Sequence, residues 1–169
     1  IVKGKDTFFD KRGKIENYKL TEKINLVATI SSKPNTMRSN HYHPIQQQKC
    51  LLINGQYISI YKDLKKDNSP RITQIVNEGD LVVTEPLVAH TMVFIKQSLF
   101  LNLVNGEREH KNFGKTHTIP IKLVSEEEKN YLFNNYKLKC RVCANKDLKR
   151  ILSLGFQPLA NNLSKKKDN

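Results

Sequence analysis

Short apolar runs separated by turn residues recur along the chain between about residue 7 and residue 123. Each run has four to six residues, which suits a β-strand and is short for a helix. The predicted strands are residues 26–30, 50–53, 56–61, 71–76, 81–84, 91–95, 99–104 and 119–123. Because no helical periodicity intervenes, the pattern predicts an all-β fold, an antiparallel sandwich or barrel.

Two local signals sharpen this prediction. Asn54-Gly55 separates two apolar runs, and both residue types tolerate positive φ, so a hairpin is expected there. Ser125 followed by three glutamates predicts a helix from residue 125 to about 136, with Ser125 and Glu128 forming a capping box. This helix either packs on the barrel through Tyr131 and Leu132 or serves as a linker. The expected organisation is a barrel domain at 1–124, a linker helix at 125–138 and a small segment at 139–169.

Composition narrows the classes of partner. The chain has 169 residues, 38% of them hydrophobic, and a formal net charge of +13. This charge favours anionic partners. The lysines are dispersed, without interleaved aromatics or a recognition helix, so nucleic acid is not expected. No apolar run is long enough to span a membrane, and three cysteines do not form a disulfide framework. A cytoplasmic protein is the simpler expectation.

Candidate chemistry concentrates in residues 38–43 and at His90. On a strand, His41 and His43 would share a face, with Arg38 close by. Two imidazoles and a guanidinium suit a polar pocket rather than an apolar core. Such a pocket could hold an anion and move a proton, or it could bind a metal.

The spacing of these histidines resembles that of the cupin superfamily. His41, His43, Gln48 and Gly55 match its first motif, and Gly79, Pro86 and His90 match its second without the usual glycine between proline and histidine. The resemblance implies a cupin double-stranded β-helix, or jelly-roll barrel, followed by a short helix and a small irregular C-terminal segment.

Within the cupins, the chain is most similar to the nucleotide-sugar branch. Residues 9–16 resemble the opening signature of dTDP-4-dehydrorhamnose 3,5-epimerases, and residues 38–41 resemble their Arg-Gly-x-His stretch with Ser39 for glycine. Gln47-Gln48-Lys49 resembles Gln-x-Lys of that family, and Asp63-Leu64-Lys65 with Ser69-Pro70 resembles a further turn. The His-x-His pair is more similar to dTDP-4-keto-6-deoxyhexose 3,4-ketoisomerases.

The resemblance implies a role for each matching residue. His41 is the general base, since a neutral imidazole suits proton abstraction beside a ketone near pH 7. His43 is a second proton carrier or orients His41. Lys49 stabilises the enolate or enediolate oxygen.

The same resemblance implies the residues that hold the substrate. Arg12 and Arg38 face the diphosphate, and Glu16 contacts the nucleotide base or orders its loop. Gln48 and His90 complete the substrate-binding set. The expected protein is an isomerase without a cofactor, forming a homodimer.

The chain also departs from the epimerase pattern. Those enzymes use a tyrosine acid on a later strand, whose counterpart at 99–104 contains no tyrosine. Tyr57 and Tyr61 are substitutes by residue type, or they are packing residues. No carboxylate that supports the base is identifiable. Epimerisation, ketoisomerisation and binding without turnover all remain open.

A metal-binding cupin is the alternative. His41, His43 and His90 with Gln48 form a cupin ligand set, suited to Zn, Fe, Ni or Mn, as in an oxygenase or isomerase. Gln48 replaces the more usual glutamate and removes a negative charge.

The segment after Lys139 resembles the start of sugar C-methyltransferases. Cys140 and Cys143 precede Leu154-Gly155-Phe156-Gln157-Pro158-Leu159-Ala160-Asn161, a stretch that opens a zinc-binding module in that family. A second cysteine pair is lacking, so the zinc pair is incomplete. A fused or associated C-methyltransferase acting on the same class of sugar is therefore an expected partner.

Overall fold

Twelve strands and one helix make up the described part of this computed structural model, which covers residues 1–3, 5–11, 13–18, 20, 23–105 and 118–136. All of these residues belong to one compact unit, Ile1–Lys137. The elements are β1 (Val2–Lys3), β2 (Lys5–Asp10), β3 (Gly13–Asn17), β4 (Leu26–Ser32), β5 (Met37–Tyr42), β6 (Gln48–Asn54), β7 (Gln56–Asp63), β8 (Ile72–Asn77), β9 (Asp80–Thr84), β10 (Val88–Phe94), β11 (Ser98–Val104), β12 (Ile119–Pro120) and α1 (Glu126–Asn135).

The strands form two five-stranded antiparallel sheets and a separate hairpin. The first sheet has the order β1-β9-β6-β11-β4, the second has the order β12-β5-β10-β7-β8, and β2 pairs with β3. From β4 to β11 the chain passes repeatedly from one sheet to the other. This crossing is the connectivity of a jelly roll, so the all-β jelly-roll prediction is confirmed.

Side-chain alternation divides the core into two layers. Between the sheets lie Cys50, Leu52, Tyr57, Phe94 and Phe100, all 5% exposed or less. On the outer face of the second sheet, the intervening residues of β7 and β10 pack against the helix and the segment before it. That outer cluster contains Ile58, Ile60, Val93, Ile95, Val124 and Phe133.

The helix begins as predicted and packs on the barrel. Ser125 caps it, its Oγ accepting a hydrogen bond from the Glu128 backbone N–H at 3.1 Å. The carboxylate of Glu128, however, pairs with Arg71 instead of closing the predicted capping box. Phe133 is the buried contact, and Leu132 packs against the same cluster as predicted. Tyr131 is 59% exposed, so the packing role predicted for Tyr131 is wrong. No helix in the described ranges has the length and apolarity of a membrane span.

Gly55 is required at the predicted hairpin between β6 and β7. Its φ is 103°, in the left-handed range that favours glycine. A Cβ at this position would overlap Ser98 and the backbone oxygen of Gln97. The glycine of the first cupin motif therefore allows the turn between the two sheets to pack against the start of β11.

Tyr57 supplies the first testable prediction. Its ring is 1% exposed and lies 5.4 Å from that of Phe94, and burial raises the pKa of its phenol well above the ordinary value. The hydroxyl finds no hydrogen-bond partner among the described residues. Removing an unsatisfied buried hydroxyl relieves a desolvation cost. Tyr57→Phe should therefore leave the free energy of unfolding unchanged or raise it by about 1 kcal/mol, measured by urea denaturation. A loss of stability would indicate a hydrogen-bonded hydroxyl.

Candidate functional site: a histidine cluster beside a polar cavity

Three histidines from two strand segments meet on the second sheet. His41 on β5 lies directly opposite His90 on β10, and His43 follows the end of β5. The ring centroids are 4.8 Å apart for His41 and His43, 4.7 Å for His41 and His90, and 5.3 Å for His43 and His90. His43 and His90 are 5% and 4% exposed. The predicted association of these three residues is therefore observed.

The state of His90 follows from its surroundings. Its Nδ1 lies 3.1 Å from the Val88 carbonyl oxygen, which requires the proton on Nδ1 and leaves the lone pair on Nε2. Burial lowers the pKa of His90 to about 4, with the hydrogen bond to Val88 opposing the shift and His43 adding to it. Near neutral pH, His90 is thus an uncharged acceptor, with Nε2 bonded to none of the described residues.

This shift predicts a pH dependence of stability. Between pH 6.5 and about 4, the imidazole of His90 is protonated in the unfolded chain but not in the folded protein. Stability should therefore fall as the pH is lowered through that window, by about 3 kcal/mol in total. His90→Gln should flatten this slope in urea unfolding of chelator-treated protein at pH 7.5, 6 and 5. His41 and His43 are present in both proteins, so the difference between the two slopes reports the removal of His90. Equal slopes would contradict the assignment.

A bulge in β5 turns His41 toward His90. The pairing of β10 with β5 shifts register between His90 and Thr91, and Ser39 and Asn40 have φ of 77° and 60°. The similar epimerase stretch carries glycine at the position of Ser39. The positive φ explains that preference, because only glycine takes this conformation without steric cost.

Asn40 holds the bulge in place. Its Oδ1 accepts hydrogen bonds from Thr91 Oγ1 at 2.8 Å, from the Leu123 N–H at 3.1 Å and from the Val124 N–H at 3.0 Å. Its Nδ2 donates to the Val124 oxygen at 2.9 Å. One side chain thus ties the strand that carries His41 to β10 and to the segment before α1.

The second departure from a family glycine has a similar explanation. Leu87, between Pro86 and His90, has a φ of 62°. Its N–H donates to the His43 oxygen at 2.8 Å, and its oxygen accepts from the Leu64 N–H at 2.8 Å. These two bonds hold leucine in a conformation that favours glycine, and they connect the loop before β10 to His43.

A cavity of about 350 Å³ opens between the sheets beside this cluster. Most of its lining residues are polar, and His90 is the member of the cluster that lines it. The polar lining residues are Ser59, Tyr61, Asp63, Lys65, Ser69, Gln74, Thr84, Glu85 and His90. A smaller hollow shares Ser59, Thr84 and His90 with it and extends to Gln48. A volume of this order suits a small organic ligand.

Some of the lining residues were missed as site residues. Asp63, Lys65, Ser69 and Pro70 line the cavity, and their resemblance to an epimerase turn was the available signal. Glu85 also lines it, and its carboxylate accepts hydrogen bonds from Gln47 Nε2 at 2.9 and 3.0 Å. Among the described lining residues, two carboxylates therefore accompany one side-chain cation, Lys65.

Arg38 lies apart from this cavity. It pairs with Met92 in the sheet, and its guanidinium donates to Ser32 Oγ at 2.7 Å and to the Ser31 oxygen at 2.8 Å. It lines a separate hollow of about 450 Å³ with Lys33 and Gln97, and none of the described residues lines both. The structure does not bring Arg38 into the wall that His90 shares.

Lys49 and Glu16 also lie away from the cavity wall. Lys49 is 2% exposed and follows Gln48 on β6, so strand alternation turns it to the opposite face from Gln48 and Cys50. Glu16 pairs with Lys14 at 2.9 Å and lies beside Gly79. Neither position supports contact with a ligand beside His90. Arg12, Cys140 and Cys143 fall outside the described residues.

No protein-family model and no curated protein sequence matches this chain. Solved structures do match its fold. dTDP-4-dehydrorhamnose 3,5-epimerase from Sulfolobus tokodaii has a TM-score of 0.57 at 16% identity, over 68% of this chain and 72% of that one. QdtA, a sugar 3,4-ketoisomerase from Thermoanaerobacterium thermosaccharolyticum in complex with TDP, has a TM-score of 0.57 at 16% identity, over 80% and 94%.

A third match is partial. CapF, solved with the inhibitor 3-isopropenyl-tropolone, has a TM-score of 0.50 at 18% identity over 68% of this chain, which spans only 33% of CapF. At these identities the likeness establishes the fold, a cupin-like barrel shared with dTDP-sugar epimerases and ketoisomerases.

Proposed function

We propose that the chain removes a proton beside the ketone of a nucleotide-activated sugar, a dTDP-4-keto-6-deoxyhexose, as an epimerase or 3,4-ketoisomerase of deoxysugar biosynthesis. The observation that carries the proposal is the group of three imidazoles next to a polar cavity between the sheets. The fold supports it, since solved barrels of the same kind include both enzyme classes. A ketoisomerase of this fold has also been solved with TDP-4-keto-6-deoxyglucose.

The chemistry requires a base that removes the proton, a hydrogen-bond acceptor for a sugar hydroxyl, and a group that carries or returns the proton. His41 is half-buried beside the cluster, where an imidazole can take a proton from a carbon that the neighbouring ketone acidifies. His90 Nε2 can accept a hydrogen bond from a sugar hydroxyl, because its Nδ1 proton is engaged by Val88. His43 lies within ring contact of both and orients His41 or relays its proton.

Binding of the diphosphate and formation of dimers remain separate proposals. Arg38 stays a candidate for the diphosphate only if the diphosphate extends away from Asp63 and Glu85. Arg12 lies outside the described residues and stays a candidate on the resemblance alone. An oxyanion next to His90 would meet Gln48 of the adjoining hollow before Lys49, which strand alternation places on the other face of β6. A homodimer and a fused or associated C-methyltransferase remain predictions.

The proposed reaction is tested with dTDP-4-keto-6-deoxyglucose in deuterated water. NMR and mass spectrometry should detect deuterium beside the ketone and a rearranged or epimerised sugar. Deuterium without product would narrow the activity to proton exchange. Binding with neither exchange nor product would favour a non-catalytic sugar-binding module and would overturn the enzymatic proposal.

A metal-binding cupin is the second candidate, favoured by the donor atoms themselves. One nitrogen from each of His41, His43 and His90 lies within 4.8 Å of the others, and Gln48 lines the hollow beside His90. The bond from Nδ1 of His90 to a carbonyl oxygen is typical of histidines that bind metals. Metal–nitrogen bonds of about 2.1 Å place tetrahedral donors about 3.4 Å apart. The residues therefore fit a metal only if the rings move closer together.

Metal analysis of protein purified without chelators or an affinity metal separates the two candidates. A bound metal at one equivalent, lost in His90→Gln and needed for activity, would favour the metal-dependent function. Full turnover by chelator-treated protein would favour the proton-transfer function.

A further inference from the structure

Three neighbouring strands carry one row of polar side chains across the second sheet. His90 on β10 is the register partner of His41 on β5 and of Tyr61 on β7. Residues directly opposite each other on antiparallel strands point to the same face. His90 and Tyr61 both line the cavity, so that face is the interior of the barrel.

The spacing of this row suits action on two sides of one bound ring. Adjacent strands lie about 4.8 Å apart, so two strand spacings separate His41 from Tyr61 by about 10 Å at the backbone. A hexose that stands between these two side chains, with one edge over His90, would therefore present one face to the imidazole and the other face to the phenol.

Tyr61 differs from the neighbouring tyrosine of the same strand. Tyr57 is 1% exposed, packs against Phe94 and borders only the smaller hollow, whereas Tyr61 is half-buried at the wall of the larger cavity. Asp63 follows two residues after Tyr61 on the same face of β7, where it pairs with Val88. Lys65 also lines the cavity. A phenol at the wall of an open cavity stays in contact with water. That contact allows the phenolate to regain a proton after each turnover.

We propose that Tyr61 is the catalytic acid that returns a proton to the substrate opposite His41. The inference rests on the proposed function and supplies the donor that strand β11 lacks. His41 takes the proton from the carbon beside the ketone, and the electron pair moves onto the carbonyl oxygen as an enediolate. The pair then returns to the same carbon, which takes the proton from Tyr61 Oη on the face opposite His41. The imidazolium gives its proton to water and the phenolate takes one from water, so protons and electrons balance.

Tyr61→Phe tests this assignment, with Tyr131→Phe as the control, because Tyr131 is 59% exposed on α1 and lines neither hollow beside His90. Tyr61→Phe should still exchange the proton beside the ketone, because His41 can remove a proton and return deuterium to the same side. Product formation should fall by about 100- to 10,000-fold, and deuterated starting sugar should accumulate. Tyr131→Phe should exchange and form product at the rate of the original protein. Thermal unfolding of both variants checks that neither has lost its fold.

The outcomes separate the two proposals. Product formation by Tyr61→Phe within about threefold of the original rate would overturn the role of Tyr61 while leaving the proposed function intact. Equal loss of exchange and product in folded Tyr61→Phe would also overturn it, since the phenol would then serve proton removal or binding. Absence of exchange in the original protein would overturn the proposed function itself.

Discussion

His41→Asn is expected to abolish solvent exchange beside the ketone and to stop product formation. Asparagine keeps polarity and similar size at the cluster but cannot accept a proton near neutral pH. Loss of a general base typically costs about 100- to 10,000-fold in rate. Binding of dTDP-sugar, measured by calorimetry, should change little, because the contacts proposed for the nucleotide lie elsewhere. NMR in deuterated water measures exchange and product together.

The control for this variant is His110→Asn. His110 lies outside the described residues and has no partner at a recognisable spacing in the sequence, so its replacement is expected to leave exchange unchanged. If His41→Asn still exchanges at the original rate, His41 is not the base. His43→Asn, measured in the same assay, would then show whether the adjacent imidazole removes the proton.

Asn40→Ala is expected to destabilise the barrel strongly. It removes the four hydrogen bonds to Thr91, Leu123 and Val124 and leaves buried backbone groups without their partners. Unsatisfied buried groups cost about 1–3 kcal/mol each, so a loss of about 3 kcal/mol or more is expected. Urea denaturation measures the loss. Because the bulge orients His41, activity should fall as well under conditions where the variant is folded.

Asn35→Ala is the control that separates the loss of the Asn40 hydrogen bonds from the cost of a left-handed backbone conformation. Asn35 has a φ of 58°, close to the 60° of Asn40, and an exposed side chain. Its replacement should therefore lower the free energy of unfolding by only about 1 kcal/mol, the cost of holding alanine in the left-handed conformation. Asn40→Asp keeps the Oδ1 acceptor but loses the donor to Val124, so an intermediate loss is expected. If Asn40→Ala cost no more than Asn35→Ala, the hydrogen bonds would contribute little to the bulge.

Local patterns predicted the strands well because their causes are local. The apolar runs at 56–61 and 99–104 became β7 (Gln56–Asp63) and β11 (Ser98–Val104), and the Asn54-Gly55 turn joins β6 to β7. Strand β5, by contrast, contains Met37-Arg38-Ser39-Asn40-His41-Tyr42 and matches no apolar alternation. It is held instead by its pairing with β10 and by the side chain of Asn40, which depend on residues far along the chain.

The candidate site divides in the same way. Histidines 41, 43 and 90 were identified by motif spacing, and their association requires only that β5 and β10 be neighbours. The roles expected of Arg38 and Lys49 assumed that they face the same hollow as His90. For Lys49, strand alternation decides that assumption, and a shift by one residue reverses it. Arg38 shares the face of its register partner Met92 and misses the cavity because it lies farther along the sheet. Tyr61 and Asp63 reach the cavity from β7 and Glu85 reaches it from the loop after β9, so no local spacing marks all three as a group with the histidines.

The sequence by itself determined the class of fold, the position of most strands and the identity of the clustered histidines. These follow from alternation, turn residues and motif spacing, which act over a few residues. Only the tertiary structure decided which side chains share the cavity, that Tyr61 stands in register with His90, and that Arg38 and Lys49 lie elsewhere. The physical reason is that strand register and a bulge held by Asn40 choose the face of each side chain and its position along the sheet, and both arise from contacts between distant segments.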